Sequence, residues 1–430
     1  MRSRYCDGIT RREFLRVGTI GGLGLTVPSY AKFAFANEGQ NRTADAVLFI
    51  NLEGGPSHLD TLDMKPDGPS ETRGEFKPIQ SAIPGLNVCE YMPKFAKFAD
   101  RFTLLRGISH SAGSHPLGQS YISTGNRPTP ALIYPSMGAV ATKELAGKPD
   151  MPSYIAIPKT EWNAGFMGDA YSPFKTNAVP RPGEPFVVRG ISLAEGLTFD
   201  RVNRREALLK KVDRTFRDVE TNSQLLEALD KFGGQAYSMI TSPRAQKAFD
   251  VTLESDAVRE RFAPDEFNQS LLLACRLIEF GVPFITVSNA GWDTHTDNFA
   301  GHRRLIPPLD VGLVSVIETL AEKGLLERTL VVAMGEFGRT PKINVNAGRD
   351  HYPRASWSLF AGGGVQPGQL IGGTDAGGEA PDDGTDITPD DLAATIYHAL
   401  GIDPLTEYHT NTGRPVMLVP NGRVISNLFA

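Results

Sequence analysis

Short apolar runs rich in β-branched residues alternate along the chain with segments whose apolar residues have helical spacing. The apolar runs predict buried strands, because most of them end at glycine, proline or polar residues. They are AVLFINL (46–52), FTLLRGIS (102–109), SYIAIP (153–158), PFITVSN (283–289), TLVVAMG (329–335) and WSLFAGGG (357–364). The predicted helices are YMPKFAKFADR (91–101), SMGAVATKELAG (136–147), NRREALLKKVD (203–213), FNQSLLLACRLIEFG (267–281), PPLDVGLVSVIETLAEKG (307–324) and TPDDLAATIYHALG (388–401).

The alternation predicts a three-layer α/β/α fold with a largely parallel sheet. We predict a linker over residues 37–45 and a single domain over residues 46–430. Within the domain, a proline- and glycine-rich stretch near 160–200 predicts a loop excursion, and residues near 201–280 predict a helical insertion. Ligands of such sheets bind at the carboxyl ends of the strands, so chemistry is expected there.

Residues 1–36 have the features of a twin-arginine export signal. Arg11 and Arg12 precede a glycine-rich apolar segment, and Ala34-Phe35-Ala36 matches a small-x-small cleavage site. The signal predicts the twin-arginine export machinery as a partner and a periplasmic or other extracytoplasmic location. No stretch of the sequence has the length and apolarity of a stable membrane span.

Composition and charge exclude one class of partner. The formal net charge of −5 and the lack of a Lys/Arg run argue against nucleic-acid binding. Beyond the signal, the cysteines are Cys89 and Cys275, and their spacing leaves open whether they form a disulfide.

Polar, histidine-containing segments follow the predicted strands directly or lie in glycine-rich loops. The five histidines in these positions are His58, His110, His115, His295 and His351. Because the carboxyl ends of parallel strands share one edge of a sheet, these segments are expected to converge there. Each histidine alone is compatible with a hydrogen-bonding role at a strand end, but the group together favours a functional site.

The loop GWDTHTDNF (291–299) is the most informative of these segments. Asp293 and His295 are two residues apart, so on an extended backbone their side chains point the same way and could bind one ion. Asp350 and His351 form an adjacent pair that could converge from a loop. Carboxylate and imidazole ligands suit zinc, manganese or iron, and calcium less well.

Two further pairs have open alternatives. His58 and Asp60 share the two-residue spacing and could be metal ligands, although Asp60 could instead cap a turn. Glu336 and Arg339 follow the strand TLVVAM. Arg339 could bind an oxyanion or pair with Glu336.

Many of these motifs together resemble the domain-of-unknown-function family 1501, whose members are exported bacterial proteins. The resemblance covers nearly the whole chain beyond the signal. Its motifs are GGPSHLDTLD, GFMGDAYSPF, RVNRREALLKKVD, SPRAQKAFD, GWDTHTDNF, MGEFGRTPKIN, GRDHYP, AGGG and TPDDLAATIYHALGIDP. The family is similar to a remote branch of the alkaline-phosphatase/sulfatase superfamily. This similarity implies an alkaline-phosphatase-like fold and metal-dependent hydrolysis of phosphate or sulfate esters.

The sequence departs from that superfamily at three positions. Glu53 stands where a metal-binding aspartate is usual, and Glu336-Phe337 stands where an aspartate-histidine pair is usual. In sulfatases the nucleophile lies nine residues before the threonine of the TG turn, and that position is His115 here, counting from Thr124.

The sequence therefore favours an exported metal-dependent hydrolase of phosphate or sulfate esters, with a small-molecule or glycan substrate such as a polysaccharide. In this hypothesis Asp293, His295, Asp350 and His351 bind a divalent ion, with help from His58, Asp60 or Glu336. Arg339 neutralises the ester oxyanion, and His115 is the general acid/base or, as an alternative, a covalent nucleophile. The alternative is a catalytically inactive relative that binds a glycan or a partner protein through the same cleft.

Overall fold

The computed structural model of the chain describes residues 42–145, 147–186, 188, 238–239, 241–382 and 386–429. The predicted export signal, residues 37–41 of the predicted linker and the predicted helix at 203–213 lie outside these described residues. Residues 43–45 of the predicted linker are packed: the backbone N–H groups of Thr43 and Ala44 donate to Ala399 O at 3.0 and 2.9 Å, and Ala44 is fully buried.

A sheet of eight strands forms the centre of the fold. Its strands are β1 (Ala46–Glu53), β4 (Thr103–Ile108), β5 (Tyr154–Ile157), β6 (Phe174–Lys175), β7 (Phe284–Ala290), β8 (Thr329–Met334), β11 (Ser356–Ala361) and β12 (Leu370–Ile371). Three short pairs lie outside it: β2 (Pro78–Gln80) with β3 (Asn87–Cys89), β9 (Gly338–Arg339) with β10 (His351–Tyr352), and β13 (Glu407–His409) with β14 (Pro415–Met417).

The strand order across the large sheet is β12-β4-β11-β8-β1-β7-β5-β6. β11 is antiparallel to both of its neighbours, and the other pairings are parallel. β1 lies between β7 and β8, and it is buried on both faces because helices cover both sides of the sheet. The carboxyl ends of β1, β4, β7 and β8 therefore lie at one edge.

The helices of the described residues are α1 (Ser70–Arg73), α2 (Pro93–Phe98), α3 (His115–Thr124), α4 (Met137–Glu144), α5 (Pro243–Phe249), α6 (Asp256–Arg261), α7 (Glu266–Glu279), α8 (Asn298–Glu322) and α9 (Pro389–Ala399). Alternate residues of β1 point into two separate cores, Leu48 and Ile50 into one and Val47 and Phe49 into the other. Helices α2, α7 and α8 pack in the first core, and α3, α4 and α9 pack in the second. The predicted three-layer α/β/α class is confirmed.

Helix ends follow their sequence signals where side-chain caps define them. α9 begins with a capping box, in which Thr388 accepts from Asp391 N and Asp391 accepts from Thr388 N, and Gly401 follows its last turn with φ +69°. α8 begins at Asn298, not at Pro307 as predicted. Pro307 and Pro308 lie inside this helix, so the proline pair does not mark its start.

Two other sequence questions are answered by the described residues. Cys89 and Cys275 are both buried free thiols, and burial raises the pKa of each to about 12. Among the helices that the structure describes, none has the length and apolarity needed to cross a membrane.

Candidate active site

Segments that follow β4, β7 and β8 meet at the carboxyl edge of the sheet. The loop after β7 carries Asp293 and His295, and the loop after β8 carries Glu336. His115 is the first residue of α3, after β4, and the pairing of β10 with β9 places His351 opposite Arg339.

The carboxylate of Asp293 lies at the centre of this cluster. Its Oδ1 accepts from Arg339 Nη2 at 2.7 Å and lies 3.1 Å from His295 Nε2 and 3.3 Å from His351 Nε2. Its Oδ2 lies 3.1 Å from His115 Nε2. Three imidazole Nε2 atoms thus surround one carboxylate, which is the donor chemistry of a transition-metal site.

The opposite nitrogen of each ring is held by an oxygen atom. The Nδ1 contacts are His115 to Glu336 Oε1 (2.6 Å), His295 to Asp350 Oδ1 (2.6 Å) and His351 to Gly113 O (2.9 Å). Histidine ligands of metal ions are held in this way, because the outer hydrogen bond fixes the ring and its tautomer.

The imidazole rings of His295 and His351 need a positive charge between them or on one of them. Nε2 of His351 lies 3.0 Å from Nε2 of His295. Because a carbonyl only accepts, Nδ1 of His351 carries the proton donated to Gly113 O, so Nε2 of a neutral His351 presents a lone pair. His295 has the same tautomer when Asp350 is ionised, and the hydrogen bond from His295 lowers the pKa of Asp350. Two lone pairs at this distance repel each other unless a proton or a cation is shared.

His115 completes the cluster at the second oxygen of Asp293. Its Nε2 is buried and lies 3.1 Å from Asp293 Oδ2, where it can either exchange a proton or bind a cation. Within the described chain, one group offers three ligand atoms that all lie within 4.8 Å of one another, namely His115, Asp293 and His351. The residues present therefore fit a bound divalent ion.

The protonation of the cluster follows from its charges. Burial alone would raise the pKa of Asp293, but the hydrogen bond and charge of Arg339, with His115 and His295 nearby, lower it to about 2. The hydrogen bond to Glu336 raises the pKa of His115, although partial burial opposes this. At neutral pH, Asp293 is consequently an anion that attracts cations.

Glu336 lies behind His115. Its side chain is 1% exposed and accepts from Gly54 N at 3.0 and 3.2 Å and from Gln119 Nε2 at 2.8 Å, in addition to its contact with His115. We predicted it as an auxiliary metal ligand, but its oxygens are occupied by these donors. In this structure it orients His115.

Arg339 has a different environment from the one we predicted. Its side chain is fully buried and donates to Gly54 O, Gly55 O, Arg349 O and Asp293. Each of its nitrogens has a partner, so no face remains for an ester oxyanion. Its position instead fixes Asp293.

His58 and Asp60 are not part of the Asp293 cluster. Both are fully buried; His58 Nε2 contacts Gly378 O at 2.8 Å, and Asp60 accepts from Arg349 Nε at 2.7 Å and Nη2 at 3.0 Å. Burial would raise the pKa of Asp60, but the charge of Arg349 lowers it. Asp60 therefore neutralises a buried arginine, and burial lowers the pKa of His58.

Sequence reasoning missed Gln119 and the helix that carries it. The segment SHPLGQSYISTG has a serine before the helix, Pro116 in its first turn and Gly125 after its end, with Gly125 at φ +67°. These are signals of helix start and stop, and they could have identified α3.

An open cleft of about 520 Å³ begins at this cluster. Its floor contains His115, Asp293 and Glu336. Its walls are Glu53, Gly54, Pro116, Gln119, Ser120, Ser123, Thr124, Ile133, Tyr134, Ser136, Glu161, Trp162 and Asn163. The volume lies within the ordinary range for small-molecule sites, roughly 300–1,000 Å³.

Comparison with solved structures finds three representative similarities. The PsFucS1 sulfatase from Pseudoalteromonas sp. is 14% identical, with 87% of this chain and 70% of that chain covered and a TM-score of 0.38. The lipoteichoic acid synthase LtaP from Listeria monocytogenes is 10% identical, with 87% and 75% covered and a TM-score of 0.36. The phosphonate monoester hydrolase SpPMH from Silicibacter pomeroyi is 11% identical, with 90% and 77% covered and a TM-score of 0.31.

No curated protein matches the sequence. The fold and the site together define an α/β/α protein with a histidine-carboxylate cluster at the carboxyl edge of its sheet. The profile of one family, described as "Protein of unknown function (DUF1501)", matches residues 44–429. The chain belongs to this family, as its motifs predict.

Proposed function

We propose that this protein is an exported, metal-dependent hydrolase of phosphate or sulfate esters. The observation that carries the proposal is the convergence of three imidazole Nε2 atoms on the Asp293 carboxylate, while each Nδ1 is held by an oxygen. A cluster built in this way next to a cleft is typical of catalytic metal sites.

Asp293, His295 and His351 would hold the ion, and Asp350 would orient His295 from behind. Zinc, manganese or iron suits this nitrogen-rich set better than calcium. A bound divalent ion would polarise the ester oxygen and lower the pKa of a water molecule.

His115 is the proposed general acid/base. Its side chain is 32% exposed and lines the cleft, and its hydrogen bond to Glu336 favours the protonated ring. From this position it can donate a proton to the departing alcohol. Glu336 and Gln119 keep the ring in place.

The nucleophile in this proposal is water. In the described part of the chain, the side-chain contacts of Asp293 come from Arg339 and three histidines, and none comes from Ser, Thr or Cys. The same observation favours the second candidate, a catalytically inactive relative that binds a glycan or protein in the cleft. Turnover separates the two candidates.

The test begins with elemental analysis of the mature, untagged protein purified after export, together with assays on 4-nitrophenyl phosphate and 4-nitrophenyl sulfate. We expect a stoichiometric transition metal and turnover of at least one ester. The Asp293→Ala/His351→Ala variant should lose both. The matched control Asp256→Ala/His409→Ala removes the same residue types at exposed positions and should retain both.

His115→Gln separates the two possible roles of that residue. If His115 is the general acid/base, the His115→Gln protein should retain its metal and lose roughly 10²–10⁴-fold in kcat. Loss of the metal from a folded His115→Gln protein would contradict this role and make His115 a ligand. Metal without turnover in the unmodified protein would favour the binding protein over the hydrolase.

A further inference from the structure

The walls of the cleft are set by three segments of the described chain. One face of α3 contributes residues at three- and four-residue spacing, from Pro116 through Ser120 to Thr124. The second segment contains Ile133 and Tyr134. The third contains Glu161, Trp162 and Asn163, so the cleft has an aromatic side and an acidic rim.

The aromatic side is fixed in place. Trp162 Nε1 donates to Gln119 Oε1 at 3.2 Å, and its ring packs edge-on against Phe49 with centroids 5.1 Å apart. Gln119 in turn donates to Glu336 at 2.8 Å. The wall is therefore connected to the His115 cluster by a chain of hydrogen bonds.

The ionisable side chains of the cleft walls are acidic. Glu161 lines the cleft with an exposed carboxylate. Glu53 also lines it, but burial raises the pKa of its carboxyl, which accepts from Asn51 Nδ2 at 3.3 Å. Among the described residues, no lysine or arginine lines the cleft. Carboxylates beside aromatic rings are the groups that bind organic ammonium ions, through charge and through the ring faces.

We propose that this cleft binds the alcohol half of the ester and that this alcohol carries an amine, as an amino sugar does. The inference rests on the proposed function, which places the ester group at the Asp293 cluster. The C–H face of the sugar ring packs on Tyr134, and its ammonium group contacts Glu161. An alcohol with a second phosphate or sulfate is disfavoured, because like charges repel.

Three sugar esters that differ at one substituent test the preference. We expect kcat/KM for glucosamine 6-phosphate to exceed that for glucose 6-phosphate and N-acetylglucosamine 6-phosphate by roughly 3- to 10-fold. The corresponding sulfates should rank in the same order. Equal or lower rates for the amine would overturn the inference.

Glu161→Gln tests the acidic rim directly. This change keeps the size of the side chain and removes its charge, so the ratio of glucosamine to glucose ester should fall to within roughly twofold. Glu260→Gln, an exposed glutamate on α6, is the matched control and should leave the ratio unchanged. An unchanged ratio in Glu161→Gln would overturn the inference.

Failure of this inference can be told apart from failure of the proposed function. The 4-nitrophenyl esters carry no amine, so their turnover without any preference among the sugar esters contradicts only the amine subsite. If no ester is hydrolysed, calorimetric titration of the purified protein with glucosamine and with glucose still tests the amine subsite. Glucosamine should bind more tightly, and equal affinity would contradict the subsite.

Discussion

At the scale of single residues, the candidate site depends on a buried arginine, Arg339, as much as on the proposed metal ligands. Arg339 donates to Asp293 while its other bonds go to Gly54 O, Gly55 O and Arg349 O. The planar guanidinium can satisfy several acceptors in fixed directions, which lysine cannot do. Arg339 therefore sets both the orientation and the charge of Asp293.

Replacing Arg339 with methionine should weaken metal binding without touching a ligand. Outer-sphere substitutions typically cost roughly 10–100-fold in metal affinity. The pKa of Asp293, now about 2, should also rise, so protons should compete with the metal at higher pH than in the unmodified protein. Chelator competition across a pH series measures both effects.

Two further variants make that result interpretable. Arg339→Lys should restore part of the pH profile, because it returns the charge but not all the hydrogen bonds. Arg328→Met removes an arginine that pairs with Asp45 at the surface and serves as the control. A folded Arg339→Met protein with unchanged metal affinity and pH profile would show that Arg339 does not act through Asp293.

The sequence predicted some of these residues and not the roles of others. Asp293, His295 and His351 could be recognised because carboxylates and imidazoles lie one or two positions apart in loops expected at the carboxyl edge of the sheet. The partner of Asp60 could not be recognised, because Arg349 is 289 positions away and the two meet only in the folded chain. A pattern of residue types identifies a carboxylate, but the buried charge opposite it decides what the carboxylate does.

At the scale of elements, a second buried arginine ties the loop after β1 to the segment that carries Asp350 and His351. Arg349 makes a bidentate contact with Asp60 and also donates to Thr72 O at 2.8 Å and to Thr340 O at 3.1 Å. Both side chains of the pair are fully buried. The ion pair between Arg349 and Asp60 thereby holds the backbone next to His351 in place.

Asp60→Asn should destabilise the protein strongly, because it leaves Arg349 buried without an anion. Breaking a buried pair in this way costs about 3–5 kcal/mol. The surface change Asp45→Asn, opposite Arg328, should cost less than about 1 kcal/mol. Urea unfolding at neutral pH measures both, and similar losses would contradict a structural role for the Asp60 pair.

The pH dependence of that loss has a defined sign. The pKa of Asp60 in the folded chain lies below its ordinary value, because Arg349 outweighs the effect of burial. Its stabilisation is present above the unfolded-state pKa, about 3.9, and disappears as pH falls through the lower folded-state pKa. The unmodified protein and Asp60→Asn should therefore converge in stability in acid, and a constant difference would contradict the assignment.

Secondary structure was predictable where local signals and tertiary packing agree. β1, β7 and β8 are apolar runs buried on both sides, and α9 has a side-chain cap at its start. The predicted start of α8 was wrong, because Pro307 is a typical first-turn residue but lies inside this helix. The helix begins at Asn298 because Asn298 and Phe299 are buried against other segments, and local sequence signals do not report this burial.

At the scale of the whole molecule, the alternation of strands and helices was sufficient to predict the three layers and the edge at which the loops meet. It could not predict the direction of β11, because an apolar run reads the same in both directions. The antiparallel β11 lies between β4 and β8, and the segment before it reaches the edge that carries the Asp293 cluster as β10. This reversed strand allows His351, which precedes its own strand, to join side chains that follow theirs.

The proposed metal would join segments that are distant in sequence, so its removal should affect the whole fold. Asp293 and His295 lie in the loop after β7 and His351 lies on β10, so an ion held by them binds only the folded chain. At a free metal concentration 100 times Kd, the stabilisation is about 2.7 kcal/mol. We expect chelation to lower the unfolding temperature and to speed hydrogen exchange in residues 110–115, 291–297 and 349–352. Helix α7, in the core of the opposite layer from α3, should change only as the global stability changes. The Asp293→Ala/His351→Ala variant should show neither response to the chelator, and a response in that variant would place the metal elsewhere.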